Sequence, residues 1–371
     1  MFRPYATPHE GAPLIRGGSV SARGLPSNFR PDDAALFEHE LEKEIPPTRL
    51  LELRGVSATS EGMLFKDGRI LPESFSSPVI MRHFLSRRRS VLKFLATNYV
   101  LRRRRKFDAP CLWITDDWSH GYFHWLADAL PRLYAARDAA RDLVLLLPSG
   151  YERLEFVRSS LKLFSLGGVE YVGAGEVYTC ERLLMPTQMP THAAPSGNYN
   201  ESLMRELRDF MLDALAPRDG CGLRRDEPAR ERLYVSRARA PKRKVANEEE
   251  VVRVLTEFGF RVVHFEDFPF VEQVRLAASA RYLVSNHGAG LTNILFMQEG
   301  GRVLELRREG EVERNWFFNL AAAARLGYYY QTCAPEAPDG DVHSGNLIAD
   351  THSLRKNLAL MLDSAESNSG Q

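Results

Sequence analysis

The sequence predicts an α/β fold: two Rossmann-like halves facing a cleft, behind a small β-rich lead-in. Three observations carry this. Strand-sized apolar runs alternate with runs of helical period, the pattern of a parallel sheet with helices on its faces. A charged stretch bearing Gly and Pro, "APRDGCGLRRDEPARE" (216–231), interrupts the alternation, which then restarts. The 371 residues, 44% hydrophobic and 26% charged, suffice for two medium-sized cores.

Residues 1–75 make the lead-in. They are rich in Pro and Gly, with short strand-like runs, and "KDG" within "GMLFKDGRIL" reads as a tight turn. Residues 76–220 make the first half. "CLWIT" (111–115) is a buried strand, and "GYFHWLADAL" (121–130) is a helix that Pro131 ends or kinks. Strand "LVLLLP", helix "YERLEFVRSSLKLF", strand "VEYVG" and a helix over 200–215 follow. Residues 221–335 make the second half, with strands "RLYVSR", "RVVHF", "RYLVSN", "RVLELR" and "YYYQTC". Between them lie helices "NEEEVVRVLTEFGF", "PFVEQVRLAASA", "GAGLTNILFM" and "ERNWFFNLAAAARLG". Asn247 is the expected N-cap of the first of these helices, with Glu250 at the capping-box position. Residues 336–371 are a terminal helix and tail.

Composition excludes several functions. A net charge of +1 gives no reason to expect a nucleic-acid partner. Cys111, Cys180, Cys221 and Cys333 are far apart and form no C-x-x-C pair, against a zinc ribbon, a redox motif or a disulfide framework. "MFRPYATPHEGAP" lacks the apolar core of a signal peptide, and the longest apolar runs are strand-sized. The expectation is a cytoplasmic protein. Charge is nevertheless uneven: from Arg82 to Lys106 there are ten Lys or Arg and no acid, interleaved with apolar residues. That segment reads as an amphipathic helix and basic loop, or as a face for an anionic membrane or an anionic glycan.

In open α/β sheets, ligands bind beyond the carboxyl ends of the strands. The most informative strand end is "SNHGAGLTNILFM" (285–297). Gly288 and Gly290 allow a sharp turn and close approach of a ligand, and a following helix start favours phosphate. His287, Thr292 and Asn293 add polar groups. The spacing is neither G-x-G-x-x-G nor a Walker loop, so no nicotinamide cofactor is expected. Glu305, in "RVLELR", is placed to accept from a ribose diol. Arg237 ends its own strand and offers a fork for phosphate, with Arg239 and Arg243 close behind. In the first half, His120, His124 and Asp128 stand four apart, on one face if the segment is helical from Ser119. A carboxylate beside a histidine can act as a general base. Asp339-Gly340-Asp341 matches a metal-binding D-x-D but sits in a Pro- and Gly-rich segment, and reads as a chance turn.

Together, "YFHWLADALPRL", "YVSR…NEEEV", "FVEQVRLAASA" and "SNHGAGLTNILFM…VLEL" resemble the catalytic domain of glycosyltransferase family 61, over about residues 110–335. The resemblance implies a GT-B-like architecture and inverting, generally metal-independent transfer from a nucleotide sugar to a glycan or lipid-linked glycan acceptor. Many bacterial members serve capsular or other surface polysaccharide synthesis, which places the enzyme in the cytoplasm or at the inner face of the membrane. By the same resemblance Arg237, His287, Gly288, Ala289, Gly290, Leu291, Thr292, Asn293 and Glu305 bind the donor. His124 and Asp128 match a catalytic H-x-x-x-D pair, with Asp128 the expected base and the reverse assignment open. Trp118, His120 and Arg132 flank that pair as acceptor or sugar contacts. No cofactor or metal is expected. Two other classes compete. A nucleotide-sugar epimerase or dehydrogenase would want a Gly-rich first loop and Tyr-x-x-x-Lys, both missing. A non-catalytic sugar-binding protein would not need both the phosphate loop and the His–Asp pair.

Overall fold

The computed structural model describes residues 3–7, 11–187, 197–216 and 228–363. The chain forms two compact units, Met1–Val20 with Glu44–Leu203 and Ser21–Lys43 with Met204–Gln371. Most of the expected linker at 216–231 lies outside the described residues.

The first unit holds two sheets. One has six strands in the spatial order Leu14–Arg16, Thr48–Leu53, Leu183–Pro186, Cys111–Leu112, Val144–Leu147 and Gly168–Tyr171. The last four run parallel, and the first two are antiparallel additions. Only these four strands have the parallel pairing expected of the first half. "LVLLL" lacks polar alternation because both faces of this strand are covered, and Leu145, Leu146 and Leu147 are fully buried. The second sheet was not anticipated. Its five strands run in the order Arg69–Ile70, Leu64–Lys66, Val56–Thr59, Glu176–Cys180 and Arg103–Phe107. The "KDG" turn is a two-residue hairpin with Lys66 opposite Arg69 and positive φ at Asp67 (49°) and Gly68 (72°), the geometry that matches strand twist. The basic segment is therefore not helix and loop alone. Helices Pro78–Ser86 and Arg88–Ala96 and a π turn lead into the edge strand Arg103–Phe107.

The second unit is a six-stranded sheet ordered Arg261–Val263, Glu231–Val235, Ala280–Asn286, Arg302–Arg308, Gly327–Pro335 and Leu347–Ile348. All but the last strand are parallel. In chain order this is 2-1-3-4-5 with an antiparallel edge, so the direction of winding reverses between Glu231–Val235 and Ala280–Asn286. The terminal helix Thr351–Asp363 is part of this core, burying Leu354, Leu358 and Met361 among Val251, Leu255 and Leu304.

Residues 21–43 fell within the sequence-defined lead-in, yet they pack on this second unit. Asn28 pairs with the backbone of Tyr330 in both directions (2.7 and 3.1 Å). Phe37 sits among Phe318, Tyr328 and Tyr330 at centroid distances of 5.1, 6.2 and 4.8 Å. Such long-range pairing leaves no periodic signal in the sequence.

Candidate functional site

In the first unit, the segment after strand Cys111–Leu112 builds a His–Asp pair. Asp116 organises the turn by accepting from the N–H of Trp118 and of Ser119 (both 3.0 Å) and from the Ser119 hydroxyl (2.9 Å). The helix begins only at Tyr122, runs as α to His124, as π over Trp125–Ala129, and as α again over Leu130–Ala135. Pro131 therefore neither ends nor breaks it. It lacks an N–H, and the wider π turn, closed by Leu130 N–H donating to Trp125 C=O, absorbs it. His124 Nδ1 and Asp128 Oδ2 are 2.7 Å apart, with the two side chains 14% and 21% exposed, so the pair is shielded but reachable. The Trp118 ring lies 5.0 Å from the His124 ring.

Two expected neighbours do not join the pair in the way foreseen. His120 precedes the helix in an exposed turn, so it shares no helical stripe with His124. Arg132 is buried, donating to Asp116 Oδ2 (3.0 Å) and to the Asp128 carbonyl (3.1 Å). It braces turn and helix instead of reaching out. Asp117 went unnoticed in the sequence. Burial raises its carboxyl above the usual range, although the N–H of Ser76 donates to it at 2.6 Å.

In the second unit, the segments of the other three motifs bond in pairs. Glu248 of "NEEEV" accepts from Tyr234 (2.8 Å) and Ser236 (2.7 Å), fixing the turn that leads into Arg237. Gln273 of "FVEQV" accepts from Asn293 Nδ2 (3.3 Å). His287 Nδ1 lies 2.6 Å from Glu305 Oε1, while Tyr328 donates to the other carboxylate oxygen at 2.5 Å. Asn247 is the N-cap as expected and its Nδ2 donates to Glu250 Oε2 (3.1 Å), but neither side chain bonds the helix-start backbone as a capping box would. Asn247 also bonds the backbone of Ala349, giving at 2.9 Å and accepting at 3.0 Å, which anchors the start of the terminal helix.

Glu305 is thus not available to a ribose. It is completely buried with both oxygens engaged. Burial alone would raise its pKa, but His287 and Arg307 outweigh that and hold it below the usual carboxylate range. Burial pushes the His287 imidazole below its ordinary value despite Glu305. At neutral pH a neutral His287 therefore donates from Nδ1 to an ionised Glu305. Its Nε2 is left as a buried acceptor without a partner.

Around His287 other polar atoms are similarly orphaned: Arg243 Nε, Asn286 Oδ1 and Arg308 Nε. All four side chains line one small pocket. Arg237 donates to the backbone carbonyls of Arg243 and Lys242 (3.4 and 3.3 Å), and neither Arg237 nor Arg243 forms an ion pair among the described residues. Burial lowers both guanidinium pKa values, that of Arg243 to about 10. Arg239, by contrast, is exposed and paired with Asp267.

The two glycines act differently from expectation. Gly288 is extended (φ 169°), so no left-handed turn is needed. A Cβ there would overlap the Arg237 guanidinium, which lies against the Gly288 backbone. Gly290 is close-packed instead, where a Cβ would stand 3.1 Å from Val235. The segment after it is a 3-10 helix, Ala289–Phe296, not an α-helix. The Leu291 N–H already donates to Gly288 C=O (2.9 Å), so the donors ahead of the first helical bond are those of 288–290. Leu291, Thr292 and Asn293 are fully buried and face the core. Ala289 is part-exposed at the rim.

Residues 122–304 match the model of the family described as Glycosyltransferase 61. That span contains His124, Asp128, Arg237 and the whole 287–293 segment. Among curated proteins, the chain is 32% identical over 141 residues to protein O-linked-mannose beta-1,4-N-acetylglucosaminyltransferase 2 of Xenopus tropicalis, covering 37% of this chain and 23% of that protein. It is 33% identical over 152 residues to a beta-1,2-xylosyltransferase of Oryza sativa subsp. japonica, covering 37% and 25%. Over 147 residues it is 33% identical to the EGF domain-specific O-linked N-acetylglucosamine transferase of Rattus norvegicus, again 37% and 25%. These relatives are glycosyltransferases, and the match spans about a quarter of their length.

Proposed function

We propose that the chain is an inverting glycosyltransferase of family 61. It would move a sugar from a nucleotide-sugar donor to a glycan or lipid-linked glycan acceptor in surface polysaccharide synthesis, in the cytoplasm or at the inner face of a membrane. One observation carries the reading. At the topological switch point of the second unit's sheet, buried Arg237 and half-buried Arg243 form no ion pair among the described residues, and the carboxylates of Glu266, Glu305 and Glu311 act on them only without contact. A buried unpaired charge is strongly unfavourable. A diphosphate is the partner that the switch point, the arginine forks and the N–H groups of 288–290 suit best.

The chemistry is what inverting transfer would ask of these groups. Inversion is one in-line displacement at the anomeric carbon. Asp128, held by His124, takes the proton of the acceptor hydroxyl as that oxygen attacks. The bond to the diphosphate breaks, and Arg237, Arg243 and the loop N–H groups take up the leaving charge in place of a metal. His287, an acceptor at Nε2, takes a donor hydroxyl. Glu305 and Tyr328 set its tautomer and do not touch the ligand.

A thermal-stability panel tests this reading. UDP, GDP or CMP should raise the melting temperature and NAD should not. Stabilisation by NAD with none by the nucleotides would replace the transferase reading with that of a nucleotide-sugar dehydrogenase or epimerase.

A further inference from the structure

Folding splits the basic segment at Arg82–Lys106 into two chemically different halves. The "RRRRK" end is largely spent. Arg102 pairs with Glu61. Arg103 and Arg105 share Glu176 (3.9 and 3.6 Å), and Lys106 meets Asp108 and Glu181 (2.9 and 3.4 Å). Arg104 lies over the Tyr99 ring at 5.0 Å and donates to Ser57 and Thr179 (both 3.1 Å). The helical end is different. Arg82, Arg87, Arg88, Arg89 and Lys93 are all exposed, and none has a carboxylate partner among the described residues.

The same helices present unburied apolar side chains. Val79 and Leu92 are 61% and 56% exposed, and Val100 and Leu101 are 76% and 77% exposed. On helix Arg88–Ala96, Arg88, Leu92 and Ala96 stand four apart, as do Arg89 and Lys93, so cations and apolar groups share one outer face. The inner face is well anchored: Val91 is buried, and Phe94 contacts Phe65 and Phe84 at 5.6 and 6.3 Å. The exposed groups are therefore not waiting to fold inward. Beside them a groove of about 350 Å³ is lined by Met63, Phe84 and Phe94 and by polar groups that include Lys93, Arg102 and Glu61. No helix among the described residues is long and apolar enough to cross a membrane.

We infer that the helix pair Pro78–Ser86 and Arg88–Ala96, with the turn to Leu101, docks peripherally on an anionic lipid surface. Uncompensated cations interleaved with exposed aliphatic side chains on an anchored helix are the signature of interfacial binding: the charges draw the surface in, and the aliphatic groups enter the headgroup boundary. A soluble anionic polymer would use the cations but gives Val100 and Leu101 nothing to enter. This inference stands apart from sugar transfer and needs no donor or acceptor.

The test is co-sedimentation of the full chain with vesicles of phosphatidylglycerol mixed into phosphatidylcholine, against phosphatidylcholine alone. Binding should require the anionic lipid and weaken as salt screens it. Each cation near the surface contributes roughly fivefold in affinity, so R88E with R89E should lower binding at least about tenfold. Leu92→Ser with Leu101→Ser should weaken it at every salt concentration. R103E with R105E, from the paired strand, should have the smaller effect. Unchanged melting temperatures keep the variants interpretable. No binding to anionic vesicles overturns the proposal, as does equal loss from the two arginine pairs. Self-association that Leu92→Ser abolishes, without vesicle binding, makes this face a protein interface instead.

Discussion

A general base acts during displacement and not in holding the donor, and the two variants of the His–Asp pair separate these roles. Asp128→Asn keeps shape but accepts no proton, and turnover should fall roughly 10²–10⁴-fold with donor affinity little changed. If Asp128→Asn stays active while His124→Ala is dead, His124 is the base. At the other unit, Gly288→Ala should displace the Arg237 guanidinium and weaken nucleotide binding while every ligand-contacting side chain keeps its identity. Arg237→Gln should weaken it by roughly 10–150-fold, the worth of hydrogen bonds to a charged group. Equal affinity in both variants would remove Arg237 from the anion site. His287 also gives a stability signature. Its folded pKa lies below the ordinary value of about 6.5, so the unfolded state binds a proton that the folded state refuses. Stability should therefore start to fall as pH drops through about 6.5, and Glu305, whose folded pKa is also depressed, adds a further loss at lower pH. Chemical denaturation between pH 8 and 5 measures this, and His287→Gln should flatten the upper step.

Elements were legible where one physical period dominated. In the second unit, continuous apolar strands and amphipathic helices gave nearly every element, because a doubly covered parallel sheet writes that pattern directly. The "KDG" hairpin was legible because only a few residues tolerate positive φ there. Gly68→Ala should cost about 1–2 kcal/mol, read as a lower denaturation midpoint. The second sheet of the first unit was not legible. It is assembled from short strands far apart in sequence, such as Val56–Thr59 against Glu176–Cys180, and none is long enough to show alternation. Among site residues, the pairing of His124 with Asp128 was readable from a spacing of four. The engagement of Glu305 by Tyr328 was not, since it joins side chains on neighbouring parallel strands. Removing that hydroxyl in Tyr328→Phe leaves a buried carboxylate oxygen unsatisfied and should destabilise the second unit by about 1–3 kcal/mol.

At the scale of the molecule, the two units carry separate features, the proposed anion site in one and the His–Asp pair in the other. If the leaving charge is met by arginines and N–H groups, transfer should proceed fully in EDTA. A strict requirement for manganese would point back to Asp339 and Asp341, although Asp341 now accepts from Ser344 (2.6 Å) and the His343 N–H (3.2 Å) in a local turn. The strand order 2-1-3-4-5 could not be read from the sequence, since apolar runs give the number of strands and not their neighbours. The placement of residues 21–43 on the second unit has a consequence in time. Asp33 accepts from the Tyr330 hydroxyl at 2.6 Å, and that donor is made 297 positions later. At ribosomal rates of 5–20 residues per second that is a wait of roughly 15–60 s. Throughout it, Phe37 has emerged and the aromatic residues that bury it have not. The nascent chain must carry an exposed aromatic through the synthesis of the rest of the first unit before its burial partners exist.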